Sequence, residues 1–170
     1  MPRPDLSTIP EWYHRYINQV EGNDPVAAMK EQTPVMLRIF NKLSVEKRNY
    51  RYAKNKWTIK EMLQHIIDAE RVFAYRGLCI ARKETASLPS FDENDYALQS
   101  KAKKRDWSDM MEELKTLRRS TEILFGSFDK EQMSTVGIAN NNPVSVLALA
   151  FILTGHIYHH IDVIRERYLP

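Results

Sequence analysis

The longest apolar run in the chain, Val144 to Leu153, leads into Gly155-His156-Ile157-Tyr158-His159-His160-Ile161-Asp162, which holds three of the five histidines. Residues four apart on a helix share a face. His156 and His160 therefore stand one turn apart, on the side that Leu149, Ile152 and Leu153 extend upstream. That side must be buried, so the helix carries two imidazoles into the interior with it. Paired imidazoles make a poor core and a good grip on a divalent metal. The run is too short to cross a bilayer. It therefore calls for a jacket of other amphipathic elements, and the remaining chain reads as helices of that kind.

Ile9 to Glu21 carries Trp12, Tyr13, Tyr16, Ile17 and Val20 at helical spacing, and Gly22 closes this short N-terminal helix. Asp24-Pro25 reads as an N-cap with proline in the first turn. Val26, Met29, Val35, Met36, Ile39, Phe40 and Leu43 follow as an apolar stripe that Pro34 is expected to kink or delay. Residues 44–56 read as a polar loop. Thr58 and Glu61 then form a capping box, with Trp57 and Met62 spaced as a hydrophobic staple. The helix they open should run to about Arg82 and bury Ile59, Met62, Leu63, Ile66, Ala69, Phe73 and Leu78, with His65 on its inner side.

Residues 86–106 read as a long connection broken by Pro89, Asp92, Asn94 and Asp95, of a length that crosses a bundle or covers a site. Ser108 is expected to cap the next helix, buried through Met111, Leu114, Leu117, Ile123, Leu124 and Phe128. Asn140-Asn141-Asn142-Pro143 reads as the cap and first turn of the last helix, which runs to about Tyr168. No strand pattern is visible. Only five glycines interrupt the 170 residues. The expectation is one all-α domain over residues 1–170, a four-helix bundle with a long crossover connection and a short N-terminal helix.

Composition narrows the function. A net charge of +3 is not the footprint of a nucleic-acid binder, and the basic run Lys101 to Arg105 reads as solvated surface. Cys79 is the only cysteine, so no internal disulfide is possible; with no apolar leader at Met1 to Asp5, a cytoplasmic protein that neither spans nor binds a membrane is expected. No serine–histidine–acid signature, glycine-rich phosphate loop or Cys-x-x-Cys is present.

Metal sites in bundles take a spaced pair from one helix and further ligands from its neighbours. Here the pair is His156 and His160, and His65 is the third candidate. Taken singly, each has a plain alternative as a satisfied core histidine. Three neutral imidazoles leave a coordination position open, as catalytic sites do. Asp68 and Asp162 are the nearest carboxylates in sequence and are candidates to orient the rings, unless they face solvent. His159 lies to the side of the pair, at the rim, where pairing with Asp162 is the simpler role. Arg71, Arg76, Arg165 and Arg167 could bind an anionic substrate, although arginines on bundle helices are mostly exposed or ion-paired.

Two stretches resemble a known family. Lys56-Trp57-Thr58-Ile59-Lys60-Glu61-Met62-Leu63-Gln64-His65, continuing through Asp68 to Arg76, is similar to the DinB superfamily. So are Gly155 to His160 with Ile164 to Leu169, and the crossover Leu88-Pro89-Ser90-Phe91-Asp92. The resemblance implies an up-down-down-up bundle, often a homodimer, with a divalent metal, zinc or nickel, held by His65, His156 and His160. It implies a thiol-dependent S-transferase in which a low-molecular-weight thiol is activated as a metal-bound thiolate and passed to a small-molecule electrophile. A hydrolase using metal-bound water, and a non-catalytic dimeric scaffold, are the alternatives. Many members carry glutamate directly after the first histidine of the second motif; here that position is Ile157.

Overall fold

The computed structural model describes residues 2–169. Four long helices form the bundle: α2 (Pro25–Asn41), α4 (Ile59–Ala81), α6 (Trp107–Gly126) and α8 (Val146–Val163). Four short ones, α1 (His14–Gln19), α3 (Val45–Asn49), α5 (Glu93–Gln99) and α7 (Lys130–Ser134), occupy the connections and the N-terminal segment. Their pairings give the topology. Glu70 of α4 meets Arg118 of α6, and Arg71 meets Glu113, while Gly77 lies against Phe125, so these two helices run parallel. Helix α2 opposes α6, with Gln32 on Arg118 and Phe40 on Trp107. Helix α8 opposes α4, with Phe73 against His156 and the Tyr168 hydroxyl donating to the Trp57 carbonyl. The order is up, down, down, up. A parallel α4–α6 pair needs a return across the whole bundle, and the long connection supplies it.

Local chemistry accounts for the element ends. The Asp24 carboxylate accepts from the Val26 and Ala27 amides, ahead of proline in the first turn of α2. Helix α2 runs continuously through Pro34 and neither starts late nor breaks there. The Thr58–Glu61 capping box forms in full. The cap of α6 is Asp106, whose carboxylate accepts from the Ser108 amide and hydroxyl; Ser108 itself lies inside the helix.

Several expectations give way. The polar segment after Leu43 contains α3, capped by Ser44. Asp92, read as a helix breaker, is the N-cap of α5, because the same Asx chemistry serves both ends of a loop. Leu78 and Ile123 face outward at 36% and 56% exposure, while Ile80 and Phe125 take the buried places. The largest miss is the asparagine run. Asn140 and Asn141 both have positive φ (51° and 59°) and form the two-residue turn of a hairpin between β1 (Val136–Ala139) and β2 (Asn142–Ser145). Asparagine tolerates that left-handed backbone. Helix α8 therefore starts at Val146, capped by Ser145, and ends in a π-helical turn at Ile164–Tyr168. The hairpin also pins the crossover: Leu88 donates to the Ile138 carbonyl and accepts from the Asn140 amide, both at 2.9 Å.

Helix α8 with its closing turn (Val146–Tyr168) is long and apolar enough to cross a membrane, but 78% of that apolar window is buried inside the protein. It is the central core helix. The core forms two apolar clusters, and on three of the four bundle helices the change from one to the other falls at a buried polar residue: Gln32, Arg118 and Thr154. On α4 the change falls between Ile67 and Ala69, and the buried Glu70 follows directly after it.

Candidate metal centre

Helices α4 and α8 bring His65, His156 and His160 together. The Nε2 atom of His156 stands 2.9 Å from those of both His65 and His160, and all three ligand atoms lie within 4.8 Å of one another. All three residues are buried, at 6–8% exposure. No cysteine or carboxylate joins the cluster among the described residues. Three convergent Nε2 atoms have no good arrangement as hydrogen-bond partners, because each carries one in-plane position, donor or acceptor. Around a tetrahedral ion with nitrogens at about 2.1 Å, ligand atoms stand about 3.4 Å apart. The donor set fits a divalent metal with a slight spreading of the rings.

Burial pushes the His65 imidazole down to about 4, helped by the charge of His159. Burial holds His156 and His160 well below the ordinary histidine range; repulsion from His65 adds to it for His156, and repulsion from His156 and His65 for His160. The rings are therefore neutral near pH 7, the state in which imidazole ligates. Metal-free protein should pay for this in acid. Unfolded histidine takes its proton near 6.5 and folded His65 only near 4, so the unfolded chain gains protons first as pH falls. The His65 contribution to stability is flat above about pH 7 and declines between 6.5 and 4, by on the order of 3 kcal/mol. Urea midpoints for chelator-treated wild type and His65→Gln check this: their difference should shrink from pH 7 to pH 5, and a constant difference contradicts it.

The triad lies at the bottom of an open cleft of about 450 Å³. Its walls are aromatic. The Trp57 ring covers His65 at 4.8 Å, Phe73 faces His156 at 6.1 Å, and Tyr16 stands edge-on to His156 and His159 at 5.5 and 5.6 Å. Ser90, Phe91 and Glu93 enter from the crossover, so the long connection does cover the site. His159 lines the cleft beside the triad, its ring 5.2 Å from that of His160.

Neither acid reaches the imidazoles. Asp68 accepts a hydrogen bond from Gln64 at 2.9 Å, one turn back on its own helix. Asp162 accepts from Gln19 at 3.2 Å and lies 3.8 Å from Arg165, leaving His159 unpaired with it. The Nδ1 atom of His160 is buried with no partner. Sequence reading took Tyr16, Trp57 and Phe73 for core or cap positions. Their aromatic character was visible, but the close packing of α1 on α8 that turns Tyr16 onto the histidines is a tertiary fact.

A solved structure, YfiT from Bacillus subtilis, superposes with a TM-score of 0.74 at 18% identity, covering 97% of this chain and 90% of that one. That protein is described as a probable metal-dependent hydrolase with an unusual four-helix bundle topology. No curated protein is a significant match by sequence. The sequence profile of the DinB superfamily matches residues 28–164, which include both histidine motifs, and the chain belongs to that superfamily.

Proposed function

We propose that this protein is a metal-dependent enzyme acting on small molecules, with His65, His156 and His160 as the ligands of one divalent ion, zinc or nickel. The observation that carries the reading is the convergence of three buried, neutral Nε2 atoms at the foot of an open cleft. Held by these three imidazoles, a divalent ion would supply Lewis-acid chemistry toward a thiolate or toward water. The chain's own residues do the rest. The imidazoles add no charge, so the site stays net positive toward an anionic nucleophile. Trp57, Phe73 and Tyr16 give the cleft apolar walls beside the triad, and its volume of about 450 Å³ is enough for a small molecule.

The favoured reaction is transfer of a low-molecular-weight thiol, activated as thiolate, to an electrophilic substrate; it rests on the family relationship. Hydrolysis is the second reading, favoured by the likeness to YfiT. Metal analysis of purified wild type and His160→Ala tests the site. Wild type should hold one equivalent, and the variant should lose affinity by more than the roughly 10–100-fold that removal of an orienting partner costs. Equal metal content in both would sink the assignment, and no metal in wild type would leave a scaffold. Thiol consumption with a model electrophile should stop on chelation. Ester cleavage without added thiol would select the hydrolase instead.

A further inference from the structure

Of the four arginines that the sequence offers as anion ligands, three are accounted for. Arg71 pairs with Glu113 at 2.7 Å, Arg165 lies 3.8 Å from Asp162, and Arg167 is exposed on the closing turn. Arg76 differs from all of them. It is 3% exposed and makes no ion pair among the described residues. One Nη2 hydrogen bond goes to the Pro89 carbonyl at 2.6 Å, while its Nε is buried with no partner. Arginine cannot shed its charge when buried, as lysine or histidine can. An unpaired internal guanidinium is costly unless something supplies the counter-charge.

The position of Arg76 says where that counter-charge comes from. It is eleven residues beyond His65 on α4, close to three full turns, so both project from nearly the same face. Side chains on a helix lean toward its N-terminus, which brings the guanidinium back toward the histidines. Both residues line the same cleft. The Phe73 ring stands between the triad and Arg76, 6.1 Å from the His156 ring and 5.9 Å from the guanidinium carbon, and the Phe91 ring lies 6.0 Å from that carbon.

We infer that Arg76 is the substrate-anchoring residue of this cleft, and that it binds the carboxylate of a small organic acid whose apolar body lies along Phe73 and Phe91 toward the triad. The guanidinium fork suits a carboxylate. The cleft is within the size range of small-molecule sites. Glu93 in the same cleft disfavours a doubly charged group such as a phosphate monoester. The tether to Pro89 uses one Nη2 donor and leaves Nη1 without a protein partner among the described residues. The inference takes from the proposed function only the direction in which the far end of the ligand points; the anion site itself exists without the metal.

Phenylacetate and its neutral twin phenylacetamide test it by calorimetry, on chelator-treated and on zinc-loaded protein. Wild type should bind the acid at least about tenfold tighter than the amide in both forms. Arg76→Gln should lose that preference while its zinc stoichiometry stays unchanged. A variant that keeps the preference, or a wild type that binds acid and amide alike, overturns the inference. If Arg76→Gln fails to fold, wild type labelled with 15N at arginine decides. Of the two buried Nε–H signals, those of Arg76 and Arg118, only one should move on titration with phenylacetate. No movement, or movement of both, counts against the site. An acid preference in a protein that binds neither zinc nor nickel would refute the metal reading and leave this one standing.

Discussion

Replacing Arg118 by methionine is expected to destabilise the protein by about 3–5 kcal/mol, the range for removing one partner of a buried ion pair. Arg118 is fully buried and lies 3.2 Å from the Glu70 carboxylate. It also donates to Gln32 at 2.6 Å and to the Thr33 hydroxyl at 3.2 Å, and Gln32 passes the connection on to the Thr154 carbonyl at 3.0 Å. One guanidinium thus ties all four bundle helices at the level where the two apolar clusters meet. Burial pushes the Glu70 carboxyl above its ordinary range, and Arg118 works against that push. Without Arg118 the carboxyl should be protonated at higher pH still. A carboxyl whose folded pKa is raised costs stability as pH climbs, so the variant should lose most at neutral pH and least near pH 5. Adding Glu70→Gln should recover a large part of the loss. Urea unfolding of the two single variants and the double variant measures this directly. Additive losses would show that Arg118 and Glu70 act independently and that the pair is only a neighbourly contact.

This polar layer also marks a limit of the sequence. Periodicity located the bundle helices because each buries one apolar stripe over many turns, and Thr58 and Glu61 announced the start of α4 through chemistry confined to four residues. His156 and His160 were legible for the same reason, since their spacing alone puts them on one face. Glu70 and Arg118 were not, because each looks like a surface residue until its partner on another helix is known. Asn140 and Asn141 misled for a different reason. Asparagine both caps helices and accepts a left-handed backbone, and the choice was made by the pairing of Val136–Ala139 with Asn142–Ser145. Arg76 falls in the first class. Its residue type suggested an anion, but only burial without an acid separates it from Arg71, Arg165 and Arg167.

Gly155→Ala should be the most damaging single-methyl change in the chain, at about 3 kcal/mol, the upper end of overpacking penalties. A Cβ there would stand 1.8 Å from the Tyr16 carbonyl oxygen and 2.4 Å from its carbon. Both are backbone atoms, so no rotamer change can relieve the overlap, and α1 must lift away from α8. That contact also turns the Tyr16 ring onto His156 and His159. The triad itself comes from α4 and α8 and does not depend on α1. The variant should therefore keep its metal stoichiometry while losing about 6–12 °C in Tm, by the usual scaling for a chain of this size, and its cleft should bind small molecules more weakly. Gly126→Ala is the matched control. Its added Cβ would meet only the Val26 side chain, at 3.7 Å, so a neutral or slightly stabilising effect is expected at that helical position. Equal melting temperatures for Gly155→Ala and Gly126→Ala would mean that α1 packs on α8 less tightly than this. Loss of the metal together with α1 would instead make the N-terminal segment a support of the triad as well as a wall of its cleft.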